Sequence, residues 1–152
     1  AAFSVFTDSA GRIVLGGVTG ADFALLRLTS AGGIDATFGD GGLVATRFVG
    51  GRSGGIGSVL ADEAGRLVAA GTSSVGAQSD TGAITVARYQ PTGSLDLSFG
   101  AAGVSMLASP PNTTVSAAGA ALGHCSIVTV GTWGYDISSV NKIAMGVARF
   151  HQ

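Results

Sequence analysis

One cysteine, Cys125, is all the sequence holds, so no disulfide can close within the chain, and thiol usage assigns neither an oxidising nor a reducing compartment. Charge is equally scarce: 8 basic and 9 acidic residues make up 11% of the 152 positions and leave a formal net charge of −1. Such a balance offers no footing for the phosphates of nucleic acid or for an anionic membrane surface, and neither is expected as a partner. No apolar run comes near the ~20 residues of a membrane span. The 26 glycines interrupt every window that could sustain a helical period, which excludes long helices. The two histidines, His124 and His151, stand apart from any acidic or thiol cluster. His124 and Cys125 are neighbours that a strand would point to opposite faces, a poor catalytic dyad. No catalytic residue, no metal and no cofactor is therefore expected. The chain opens on Ala1-Ala2-Phe3 without a basic stretch, which suits either a mature product after signal cleavage or a cut fragment.

What is present is apolar and repetitive. Apolar types reach 46%, a share that suits a chain buried on two faces or packed against other copies of itself. Asp8-Ser9-Ala10-Gly11-Arg12-Ile13-Val14 returns 54 residues later as Asp62-Glu63-Ala64-Gly65-Arg66-Leu67-Val68. Leu26-Arg27-Leu28 through Ile34-Asp35-Ala36-Thr37-Phe38-Gly39 returns 61 residues later as Ala87-Arg88-Tyr89 through Leu95-Asp96-Leu97-Ser98-Phe99-Gly100. A weaker third copy runs through Ile127-Val128-Thr129-Val130-Gly131 and Gly146-Val147-Ala148-Arg149-Phe150. Self-similarity at this period marks an array of equivalent units, each needing neighbours to bury its apolar face.

Alternation and turn residues divide the first unit into strands at Phe3–Thr7, Arg12–Val18, Phe23–Leu28 and Gly42–Phe48, and the second at Ile56–Ala61, Arg66–Thr72, Ala83–Tyr89 and Gly103–Ala108. The Asp-x-x-Gly segments read as hairpin turns, with Asp capping its own turn and Gly supplying a positive φ. The third unit yields only Val115–Leu122, Ser126–Thr132 and Ile143–Phe150. The expected fold is all-β: four-stranded antiparallel blades in a β-propeller-like repeat of three, the last incomplete, with a β-trefoil as the alternative. One repeat domain spans residues 1–152, divided at about 1–49, 50–109 and 110–152.

The run Asp62 to Val68, then Ala87, Arg88 and Tyr89, then Gly93-Ser94-Leu95-Asp96-Leu97-Ser98-Phe99-Gly100 to Gly103 resembles the delta-60 repeat of bacterial, mostly exported, β-propeller-type proteins. The third repeat departs from the pattern, with Cys125-Ser126 in place of Gly-Arg and no Leu-Asp-x-Ser-Phe-Gly segment. The resemblance implies four-stranded blades around an axis and a secreted, periplasmic or cell-surface location. It implies no chemistry.

Arg27, Arg88 and Arg149 recur every 61 residues, and Asp35 and Asp96 each follow their arginine by eight. With Phe38 and Phe99 they read as structural repeat residues, an intra-blade Arg–Asp pair holding the Asp-x-[Thr/Ser]-Phe-Gly loop against its sheet. Asp35, Asp40 and Gly39, Gly41 and Gly42 offer oxygen donors of the kind Ca²⁺ takes, but Ala101 stands where the second copy would need the second carboxylate. Gly51-Arg52-Ser53-Gly54-Gly55 matches G-x-S-x-G, yet a strand pattern rather than a helix follows it, so it reads as a glycine-rich connection between blades. Asn112-Thr113-Thr114 has the form of a glycosylation acceptor and reads as a blade linker behind Pro110 and Pro111.

The segment that breaks the symmetry is Gly131-Thr132-Trp133-Gly134-Tyr135-Asp136-Ile137 with Asn141 and Lys142, taken as a loop between strands. Trp133, Tyr135, Asp136, Asn141 and Lys142 form the candidate ligand-binding set, since aromatics beside polar groups suit stacking on a sugar or anchoring a protein. The competing reading packs Trp133 over a blade edge or a subunit contact. The expected function is a non-enzymatic binding or structural module that presents loops to a protein or glycan partner. The alternative is a fragment of a larger enzyme or toxin whose catalytic residues lie outside this chain. Three blades are too few for a ring of about 4–8. A homodimer is therefore expected, the partner's Ala1–Thr7 completing or covering the third blade, or else pairing with the other half of a larger propeller.

Overall fold

The computed structural model describes residues 1–48, 52–74, 82–110, 113–124, 126–137 and 140–151. Of these, strand residues 52, 53, 74, 114, 133, 135–137 and 140–148 are described by backbone alone. Among the described residues, eleven strands build three antiparallel sheets, each from consecutive strands. The first holds β1 (Ala2–Thr7), β2 (Ile13–Thr19), β3 (Asp22–Leu28) and β4 (Leu43–Thr46) in that order. The second repeats it with β5 (Arg52–Ala61), β6 (Leu67–Ser74), β7 (Gly82–Tyr89) and β8 (Val104–Ala108). The third has three strands, β9 (Thr113–Gly123), β10 (Ser126–Ile137) and β11 (Val140–His151). Separate sheets of consecutive strands are blades, and the trefoil alternative falls. Among the described residues the three blades do not close into a ring. No described helix is long and apolar enough to cross a membrane.

The blades stack face on face. Strand β5 packs across β1, β2 and β3, and β9 packs across β5, β6 and β7. One core, with Val14, Phe23, Leu25 and Phe38 of the first blade against Val59, Leu67, Ala69, Ala87 and Tyr89 of the second, fills the first interface. A second core sets Val68, Ala70, Ile84, Val86 and Phe99 against Val115, Ala117, Ile127 and Phe150. The middle blade is thus covered on both sides, and β7 is buried at every position from Ala83 to Tyr89. Strand β3 of the first blade instead alternates buried and half-buried, as a strand covered on one face must.

Two expected boundaries move. The glycine-rich connection is largely strand, because β5 begins at Arg52 and pairs Arg52 with Ser74 and Ser53 with Ser73 through irregular register. The supposed loop at 131–142 is also strand: β10 runs on to Ile137 and β11 starts at Val140, with Trp133 paired to Ala144, Tyr135 to Lys142 and Asp136 to Asn141. Its aromatic and β-branched residues favour an extended ladder over a loop.

Candidate functional site

In each of the first two repeats, polar side chains hold two turns. In the first turn, Asp8 Oδ1 accepts from the amides of Ala10 and Arg12 at 2.9 Å each, and Arg12 Nε donates to Asp8 Oδ2 at 2.7 Å. Asp62 repeats the pattern with Ala64 at 3.0 Å and Arg66 at 2.9 Å, Arg66 Nε closing at 2.6 Å. Gly11 and Gly65 sit at φ +74°, a left-handed conformation that a side chain would strain. The arginine of Asp-x-x-Gly-Arg therefore locks its own turn, a role sequence reasoning left unassigned although its recurrence signals it.

The second turn binds Arg to Asp at a separation of eight. Arg27 Nε donates to Asp35 Oδ2 at 2.8 Å, and Arg88 Nε to Asp96 Oδ2 at 2.7 Å, with all four residues buried. Each guanidinium lies over the phenylalanine of the same motif, Arg27 at 4.5 Å from the Phe38 ring centre and Arg88 at 4.9 Å from that of Phe99. The Thr37 hydroxyl and amide, with Arg27, hold the Asp35 carboxyl below the usual carboxylate range against the opposing effect of burial. The Ser98 hydroxyl and amide, with Arg88, do the same for Asp96, and the Arg66 guanidinium stands 3.6 Å from it.

In the first blade this turn also clasps the next blade. Arg27 Nη1 donates to the Pro91 carbonyl at 2.6 Å, and the Gly39 amide donates to the Thr92 carbonyl at 2.8 Å. Gly93, at φ +97°, nestles so closely that a Cβ there would lie 2.7 Å from Val44 Cγ2 and 3.0 Å from the Gly39 nitrogen. Two further bonds join the same blades: Tyr89 Oη donates to Thr46 Oγ1 at 2.8 Å, and the Val59 amide donates to Ser4 Oγ at 3.0 Å. Arg27, Asp35, Phe38, Arg88, Asp96 and Phe99 are thus brought together in two equivalent loops. Arg149 is not part of a third: it is exposed and forms no ion pair with a described residue.

Between the turn at Asp62–Arg66 and the Leu122–His124 segment lies a cleft of about 660 Å³. Its lining includes Asp62 and Arg66, which are bonded to each other, together with Glu63 and His124. His124 lies in the β9–β10 turn rather than on a strand, and Cys125 lies outside the described residues. Among the described residues no group of three or more His, Cys, Asp or Glu could hold a metal ion. Asp40 is exposed in the turn before β4. Ser53 sits in β5 rather than on a strand-to-helix elbow. Asn112 lies outside the described residues, while Thr113 is buried and its hydroxyl bonds the Pro110 carbonyl.

The candidate set Trp133, Tyr135, Asp136, Asn141 and Lys142 falls on one β-hairpin, at its far end. β10 and β11 are 12 residues each, against 7 for β2 and β3, so the third blade carries the longer hairpin. The side chains of all five lie outside the described residues.

Comparison with known proteins points the same way as the sheets. Residues 11–38 and 65–99 match the family described as Domain of unknown function (DUF5122) beta-propeller. The matched stretches begin at the Gly-Arg of the first turn and end at the phenylalanine of the clasp. The comparison with curated proteins gives no match. Through its first two repeats, the chain is similar to a β-propeller repeat family.

Proposed function

We propose that the chain is a non-enzymatic binding or structural module of an exported propeller protein, presenting its β10–β11 hairpin to a protein or glycan partner. The repeated polar residues of the first two blades support this reading, because each is committed to holding a turn or clasping the next blade. The observation that carries it is the long third-blade hairpin, which departs from the repeat and collects Trp133, Tyr135, Asp136, Asn141 and Lys142 at its end. Departures from symmetry are where a repeat scaffold gains individual recognition, and aromatic residues among amide and charged groups suit a sugar face. Export is supported by the resemblance to the delta-60 repeat. Screening the purified chain on a glycan array tests the reading: a defined set of sugars bound by the wild type and lost in Trp133→Ala supports it. A silent array, with no protein captured by the wild type that Trp133→Ala fails to capture, contradicts it.

A further inference from the structure

The two internal interfaces follow one rule: a covering face, led by the second and third strands of one blade, lies on the opposite face of the next. In the second blade the covered row is Val59, Ala69, Ala87 and Val104, aligned by strand register and packed under the first blade. The equivalent row of the first blade is Val5, Leu15, Leu26 and Leu43, aligned by the same register. Nothing described covers it, and Val5 is 66% and Leu43 41% exposed. Ile34, beside this row through its bridge to Leu28, is exposed as well. An apolar row of this extent on a chain with little charge is an interaction surface.

The opposite face is left over on the third blade. Gly16 of the first blade corresponds to Ala70 of the second and Val130 of the third, and Arg27 corresponds to Arg88 and Arg149. Gly16 and Ala70 are buried at interfaces, whereas Val130 is 48% exposed and Arg149 is exposed. We propose that these two faces take each other: the third blade of one copy stacks on the first blade of a second copy, repeating between chains the interface already built within one.

Size matching favours a second copy as the occupant. A Cβ on Gly16 would run into Val59 and Ile56, so that interface sets a bare position under two branched side chains. Between copies, Val130 would meet Val5 and Ala2, the residues equivalent to Val59 and Ile56. Val130, Val5 and Ala2 together carry as many side-chain carbons as Gly16, Val59 and Ile56, with the bulk moved to the covering side. The clasp has matching parts as well. Arg27 holds the Pro91 carbonyl, and the equivalents are Arg149 in one copy and the exposed Ser30 in the other. Gly93 is packed against Val44 and Phe38, while the equivalent Gly32 has open space about it. The contact joins different faces, and a twofold axis forms it twice, so two copies close a ring of six blades, within the range of about 4–8. Residues Ala1–Thr7 take part through the face of β1 and not as an added strand. The inference rests on blade stacking alone, so it and the hairpin's partner can fail separately.

Two measurements on the full 152-residue chain decide it. Light scattering at micromolar concentration should give twice the 14.8 kDa chain mass, falling to a single chain in Val5→Glu and in Arg149→Glu, both at exposed positions. In a Cys125→Ser background, Val5→Cys protein mixed with Val130→Cys protein should form a disulfide-linked pair under mild oxidation. Neither variant should cross-link alone. A wild-type monomer throughout the micromolar range overturns the proposal, as does cross-linking of Val5→Cys to itself as readily as to Val130→Cys.

Discussion

Tyr89→Phe removes one oxygen from the interface between the first two blades. The Tyr89 hydroxyl is buried, donates to Thr46 Oγ1 at 2.8 Å, and burial pushes its pKa up to about 12, the hydrogen bond to Thr46 opposing the rise. At neutral pH the phenyl ring keeps the apolar packing, so the loss is the hydrogen bond and the desolvated Thr46 hydroxyl, about 1 kcal/mol. The alkaline range gives the prediction its sign. A tyrosine in the unfolded chain ionises near pH 10, so the folded state holds its proton the more firmly of the two. The stability attributable to Tyr89 is fully present below about pH 10 and is lost as pH rises through 10 to 12. A separation of about two units corresponds to about 2–3 kcal/mol over the whole window, and roughly half of that is gone by pH 11. Tyr89→Phe does not titrate. Urea denaturation should therefore find the variant about 1 kcal/mol less stable than wild type at pH 7 and equal or more stable at pH 11. A difference independent of pH would refute the burial of this hydroxyl between the blades.

Four other outcomes follow. Arg88→Ala and Asp96→Ala should each lower the thermal midpoint, and the double variant should fall by clearly less than their sum, since both remove one buried pair. Additive losses would show that the two residues act separately. Gly93→Ala, which adds a Cβ at positive φ 2.7 Å from Val44, should cost about 2–3 kcal/mol in chemical denaturation. Ala102, at φ +54° where the first repeat has Gly41, should tolerate glycine with a gain of about 0.5–1 kcal/mol, read as a higher midpoint. Acid titration of stability should show a loss as pH falls through and below the ordinary carboxylate range. Both Asp35 and Asp96 are held below that range by Thr37 and Ser98, with help from Arg27 and Arg88, so their contribution is present above it.

The strand plan was legible because the turns announce it. Asp-x-x-Gly and Leu-Asp-x-[Thr/Ser]-Phe-Gly each fix a chain reversal, and what lies between them alternates. The spacing of eight between Arg27 and Asp35 pointed to their pairing, since charged residues recurring with a fold usually serve it. The clasp was not legible: Arg27 reaches the Pro91 carbonyl 64 residues away, and no side-chain pattern marks a backbone acceptor. Beyond Gly131 the repeat's own template ends, so the spacing alone suggests a loop where the hairpin runs on. Its Trp, Tyr, Ile and Val content favoured strand all along. At Gly54 and Gly55 composition misled in the same direction, because glycine in β5 serves the close approach of β6 at Gly54, of Phe3 in β1 at Gly55, and the irregular register there rather than a linker.

The central claim is that consecutive four-stranded blades stack face on face and that the loop of one clasps the turn of the next. Nuclear Overhauser contacts in the 152-residue chain test it most directly, because Phe38 and Gly93 are distant in sequence and lie in turns of different blades. The account predicts contacts from the Phe38 ring to the Gly93 α protons and from the Tyr89 ring to Thr46. A well-folded chain that shows the strand pairings within each sheet but neither of these contacts would contradict it.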